Sequence, residues 1–345
     1  MGELLAYSGV SVKLRAMQSR LFTREEYLEL GSSKNVAEAL EYLRRHPAYQ
    51  QVFSRYEGWD LHREQIENIL DESIGIDFQK IYRFSSVKQR EFLDMYFRKY
   101  EVEILKKCLG MIFDHREISL DLSCFQEFFS QHSRLDPERL SRCEDVEALL
   151  AASSDTPYGA CIARVKERGG NNPWDYGMAL DYEYFMDFWN WRKKHLKGET
   201  LELITQIYGV KMELLDIQWI VRGKKYYQMP DHDLYALMLP VGIHIRRQEL
   251  AKLVESATME ELQKRLAQTY YGRHYPEFDA DHMEQLYVKI RQELQHKLVR
   301  RNPCTIAGVA SYIFDKEHEI DRITSVLECV RYGMELPSGV LQGGV

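Results

Sequence analysis

Two short patterns recur three times along these 345 residues, in one order and about 110 residues apart, so the chain must be built from like units. The first is an amphipathic helix start that runs on to a tyrosine. It reads Asn35-Val36-Ala37-Glu38-Ala39-Leu40 ahead of Tyr49, Asp145-Val146-Glu147-Ala148-Leu149 ahead of Tyr158, and Thr258-Met259-Glu260-Glu261-Leu262 ahead of Tyr270. Asn35, Asp145 and Thr258 can each cap a helix, and the apolar residue that follows has a partner three positions on, on the same face. The second pattern comes roughly 50 to 60 residues later and reads acidic, aliphatic, any, any, aliphatic. Its members are Glu101-Val102-Glu103-Ile104-Leu105, Asp216-Ile217-Gln218-Trp219-Ile220 and Glu319-Ile320-Asp321-Arg322-Ile323. Chance gives either pattern in a helical chain of this length, but two patterns in a fixed order are hard to obtain by accident.

The residues between the repeats point to helices. Apolar positions return at three and four, as in Phe92, Tyr96 and Tyr100 or Phe185, Phe188 and Trp189, which makes stripes that face a core. Nine prolines are too few for a many-turned β architecture. Box-like helix starts stand at Thr23-Arg24-Glu25-Glu26, Ser141-Arg142-Cys143-Glu144 and Thr258-Met259-Glu260-Glu261. Breaks fall at Gly169-Gly170-Asn171-Asn172-Pro173, Pro230-Asp231-His232-Asp233 and Tyr275-Pro276-Glu277-Phe278-Asp279. The expected fold is all-α, with three consecutive similar helical units at residues 1–115, 116–235 and 236–345.

A net charge of −7, with Lys and Arg scattered in doublets, argues against nucleic acid as the main partner. Cysteines at 108, 124, 143, 161, 304 and 329 form no Cys-x-x-Cys pair, which reads as reduced thiols in the cytosol. No apolar run approaches the roughly 20 residues that span a bilayer. Ala6 stands where an N-myristoylation signal needs Ser or Thr, so membrane attachment is expected to come through a protein partner.

The order of motifs resembles a known family. Tyr7-Ser8-Gly9-Val10-Ser11-Val12-Lys13-Leu14-Arg15-Ala16 followed by Leu21 is similar to the opening of the C subunit of A/V-type ATPases, the family to which the eukaryotic V-ATPase d subunit belongs. The likeness continues through Lys99-Tyr100-Glu101-Val102 with Leu105-Lys106, through Asp216-Ile217 with Arg222-Gly223-Lys224, and through Tyr312-Ile313-Phe314-Asp315-Lys316-Glu317-His318-Glu319-Ile320. The resemblance implies a funnel-like body with pseudo-threefold symmetry. It further implies a single copy per complex, on the cytoplasmic face, peripheral, between the rotating central shaft and the membrane rotor ring.

The chemistry legible in the residues suits a coupling part rather than an enzyme. No Gly-x-x-x-x-Gly-Lys-Ser/Thr loop is present to cradle phosphates, and no His-Glu-x-x-His is present to hold zinc. Asp231-His232-Asp233 and Glu317-His318-Glu319 put neighbours about 100° apart on a helix, which disfavours convergence on one ion. No catalytic, cofactor-binding or metal-ligating residue is expected, and no cofactor. Candidate partner contacts are the charged members of the second pattern and their flanks: Glu101, Lys106, Asp216, Arg222, Lys224, Lys316, Glu317, Glu319 and Arg322. Lys316, Glu319 and Arg322 can share one broad helix face while Ile320 and Ile323 turn to the core. On the competing reading the acidic members are helix-start charges favoured by the backbone dipole and the basic ones are solvated. A free-standing helical-repeat adaptor that binds peptides is the alternative function, although its repeats run shorter, at about 30 to 50 residues.

Overall fold

The computed structural model describes residues 2–56, 61–118, 126–280 and 282–337, and the regular elements among them are all helical. In chain order the α-helices form three sets of six. The first set is α1 (Gly2–Gln18), α2 (Arg24–Gly31), α3 (Val36–Arg45), α4 (Gln50–Phe53), α5 (Arg63–Phe84) and α6 (Val87–Phe113). The second is α7 (Gln126–His132), α8 (Pro137–Leu140), α9 (Val146–Ala152), α10 (Pro157–Glu167), α11 (Pro173–His195) and α12 (Gly198–Arg222). A π-helical turn at Gly223–Tyr227 leads into the third: α13 (Asp231–Leu237), α14 (Arg247–Val254), α15 (Met259–Gln268), α16 (Tyr270–His274), α17 (Met283–Arg301) and α18 (Ile306–Tyr332). Each set places an opening helix and two short ones before a helix that begins at or beside a tyrosine, then closes with two long helices.

The sequence explains most of these boundaries. Asn35, Asp145 and Thr258 sit just ahead of α3, α9 and α15, and each side chain accepts the N–H of the residue three positions on. Thr23 and Glu26 close a reciprocal capping box on α2. The box expected at Ser141 does not form. Pro137, preceded by the Asp136 cap, has already begun α8, so Ser141 falls at the end of that helix and Asp145 starts the next one. Asn172 caps α11 with Pro173 in its first turn, after Gly169 has turned the chain at a φ of 84°.

Packing divides the chain into two compact units. One gathers Met1–Leu93, Asp121–His132 and Gln295–Val345, and the other Asp94–Leu120 and Ser133–Leu294. Within the first, α18 packs against α1, α2, α3 and α5. Tyr7, Val10, Leu14 and Met17 form the buried stripe of α1, spaced at three and four, and Leu21 continues it. Within the second, α12 packs against α11, α13 and α14 and is buried nearly throughout from Leu203 to Val221. The aromatic stripes expected at 92–100 and 185–189 are buried. Cys108, Cys143, Cys161, Cys304 and Cys329 are free thiols, and burial pushes Cys108 up to about 12. Met1 and Cys124 lie outside the described residues. Among the described residues no helix is long and apolar enough to cross a membrane.

Candidate functional site

A glutamate in the middle of a buried helix is costly, because an ionised carboxylate taken out of water loses several kcal/mol unless charge-assisted hydrogen bonds replace its hydration. The last helix of each set carries one: Glu101 in α6, Glu213 in α12 and Glu319 in α18, all buried. All three are satisfied by one plan. One oxygen accepts from a buried tyrosine hydroxyl, and the other accepts from the chain where it enters a group of short helices.

In the second unit, Tyr158 donates to Glu101 Oε2 at 2.8 Å and Ser133 donates to its Oε1. The Ser133 oxygen in turn accepts from the Leu135 N–H at 3.0 Å, just ahead of α8. Also in that unit, Tyr271 donates to Glu213 Oε2 at 2.7 Å. Glu213 Oε1 gathers three consecutive backbone N–H groups, from Ile243 at 2.5 Å, His244 at 2.7 Å and Ile245 at 3.0 Å, in the segment that leads into α14. In the first unit, Tyr49 donates to Glu319 Oε1 and the Phe22 N–H donates to Oε2, both at 2.5 Å. Lys316 adds an ammonium there, 2.9 Å from Glu319 Oε1 and 2.8 Å from the Tyr49 hydroxyl. Burial first and the adjacent carboxylate second push all three phenols well above their ordinary pKa, so they stay protonated and serve as donors. Each hydrogen bond to a charged group of this kind contributes about 1.5–3 kcal/mol.

This geometry corrects two sequence assignments. Tyr271, not Tyr270, is the counterpart of Tyr49 and Tyr158; Tyr270 is half-buried and stacks on His244, with ring centroids 4.0 Å apart. Glu213, not Asp216, is the counterpart of Glu101 and Glu319. The signal was present, since Glu213-Leu214-Leu215-Asp216-Ile217 fits the second pattern as well as the five residues from Asp216 do. Tyr158-Gly159 and Tyr271-Gly272 also share a glycine that Tyr270 does not precede. That glycine has a steric cause. A Cβ on Gly159 would lie 2.7 Å from the Ser153 carbonyl oxygen, and one on Gly272 would lie 2.3 Å from that of Leu266, six residues back in both cases.

The nine candidate contact residues divide by placement. Lys316, Glu319 and Arg322 do share a face of α18, but the face is turned into its own unit, and Arg322 lies 4.0 Å above the ring of Tyr27. Burial depresses the Arg322 pKa. Asp216 is buried too, with one oxygen accepting from the Leu239 N–H at 3.0 Å and the other without a hydrogen-bond partner among the described residues. Burial raises its pKa well above the usual carboxylate range, with the Leu239 N–H opposing and Glu213 adding to the rise. None of these acids sits at a helix start, so the backbone dipole does not account for them. Lys106 is partly exposed and pairs with Asp181 at 2.8 Å; Lys224 pairs with Asp231 at 3.0 Å and donates to the Ser256 carbonyl. Arg222 is exposed and Glu317 half-buried.

Residues 10–336 match the family model described as ATP synthase (C/AC39) subunit, a span that takes in all three glutamate–tyrosine clusters. The chain belongs to this family. Among its relatives is the C subunit of the A-type ATP synthase of Methanosphaera stadtmanae, 19% identical across 99% of this chain and 88% of that protein. The proteins of the same name in Methanococcoides burtonii and Methanosarcina mazei are 23% and 22% identical, over 93% and 95% of this chain and 89% and 90% of theirs. At such distances most side chains have changed while near-full-length correspondence persists, as a fold tied at a few buried points permits.

Proposed function

We propose that the chain is a non-catalytic central-stalk component of a rotary ATPase or ATP synthase, a socket that couples the rotating shaft to the membrane rotor ring. Membership of the ATP synthase (C/AC39) subunit family along nearly the whole chain carries this reading. The internal architecture supports it. A coupling part must pass torque without yielding, and buried carboxylates that pin short helices to long ones resist shear better than apolar contacts, which are non-directional. Three consecutive units, near residues 1–115, 116–235 and 236–345, would then present a funnel-like seat to the shaft. Arg222, Lys224, Lys106 and Glu317 are the candidate contacts still reachable from solvent. The attachment is peripheral, on the cytoplasmic face, and made through the ring.

Removing the chain from the assembled complex tests the reading. ATP hydrolysis by the soluble head should survive while ATP-driven ion pumping in reconstituted vesicles disappears. Vesicles that pump normally without this chain would show that the shaft meets the ring directly and that the role assigned here is wrong.

A further inference from the structure

A cavity lies beside the glutamate–tyrosine cluster in the first unit. This cavity of about 100 Å³ is lined from α1 by Lys13, Met17 and Arg20, from the turn before α4 by Pro47 and Ala48, from α5 by Asp77 and Lys80, and from α18 by Tyr312 and Lys316. Four cationic side chains therefore face one carboxylate. That carboxylate is already engaged: Asp77 accepts from Tyr312 at 2.6 Å on one oxygen and from Lys80 at 3.0 Å on the other. Glu319 offsets Lys316 from outside the lining. Lys13 leans over the Phe84 ring and leaves its charge without a counter-ion among the described residues. Arg20 is exposed, lines the cavity and makes no ion pair among them.

We infer that this cavity is a binding site for a phosphate-sized oxyanion, held by Arg20 and Lys80 with Lys13 at the rim and Lys316 at the floor. The charge excess calls for an anion, and a guanidinium fork beside ammonium groups suits tetrahedral oxygens. At about 100 Å³ the cavity has room for a group of phosphate size, and inorganic phosphate is the smallest ion that carries this chemistry. This inference does not depend on the coupling role, because it is tested on the isolated chain.

The experiment is isothermal titration calorimetry of the full chain with sodium phosphate, against sodium chloride at matched ionic strength, with a thermal melt alongside. Saturable binding is expected on the order of 1 mM or tighter, with chloride inert. Arg20→Gln, which removes only a surface cation, should weaken binding at least tenfold, and the double variant Arg20→Gln with Lys80→Gln should abolish it. Unsaturable heats in the wild type, or equal affinity in wild type and Arg20→Gln, would overturn the assignment. So would protection by ATP or ADP alone with none by inorganic phosphate, since the site would then be taking a nucleotide's phosphoryl group instead of the free ion.

Discussion

Glu319 and Glu213 do the same job in different units with different partners. Glu213 is neutralised by the backbone: three successive N–H groups converge on one oxygen, and no side-chain cation takes part in those bonds. Glu319 has one backbone N–H, and the balance comes from the ammonium of Lys316, itself almost wholly buried. The residue three positions before Glu213 is Val210, and three before Glu101 it is Arg98, which reaches outward to Asp187. The repeat therefore preserves the tyrosine-to-carboxylate bond and the attachment of an incoming chain segment, while leaving free how the charge is offset. A charged latch can be kept where either oriented peptide dipoles or one buried lysine stand beside it.

The largest effect should come from breaking the lysine-balanced cluster. Glu319→Gln leaves Lys316 buried without its counter-charge and should cost about 3–5 kcal/mol in urea unfolding. Adding Lys316→Met should recover more than half of that loss. Glu213→Gln strands no cation and should cost only about 1.5–3 kcal/mol. Equal losses at the two sites would mean that the lysine contributes nothing distinctive to the first cluster.

Next in size is the tyrosine register. Tyr271→Phe removes a donor from a buried carboxylate and should cost about 1.5–3 kcal/mol, whereas Tyr270→Phe should shift stability by less than about 0.5 kcal/mol. Thermal melts of the two variants side by side decide it. A reversed order would restore the alignment that the helix-start spacing alone suggests.

These two residues also show how far the sequence could be read. Helix content, caps and buried stripes were legible because they rest on local periodicity and on side chains three positions apart. The partner of Tyr49 was not, since Glu319 is 270 residues away and no local rule joins them. The second pattern matched at both Glu213 and Asp216, because a helix buried on all sides carries aliphatic residues at every offset and loses its phase. The candidate contacts Lys316, Glu319 and Arg322 read as an outward face open to a partner for a related reason. Charged residues at spacings of three mark a face, but only the tertiary partners, here Tyr49, Phe22 and Tyr27, say which way it turns.

The smallest effect concerns Asp216, the acid that took no part in a cluster. Its folded pKa lies above its unfolded value, so the folded chain binds the proton more tightly. Stability should therefore fall as pH rises from the unfolded carboxylate value, about 3.9, towards the folded one. Asp216→Asn should flatten that slope and raise the melting temperature at pH 7 more than at pH 4.5. A variant whose melting temperature runs parallel to wild type across this range would show that Asp216 titrates as it does in the unfolded chain.

The bond between Tyr49 and Glu319 has a consequence for how the molecule is made. A ribosome releases Tyr49 long before Glu319, and at about 5–20 residues per second the 270 residues between them take roughly 13 to 54 s. Throughout that interval α2 and α3 lack α18, the long helix they lie against, while α1 and α4 can already meet α5. The clusters at Glu101 and Glu213 wait much less, being 57 and 58 residues from their tyrosines. The α2–α3 segment, made early, is thus late to find its place, and during synthesis it stays open to proteases and to a holding chaperone.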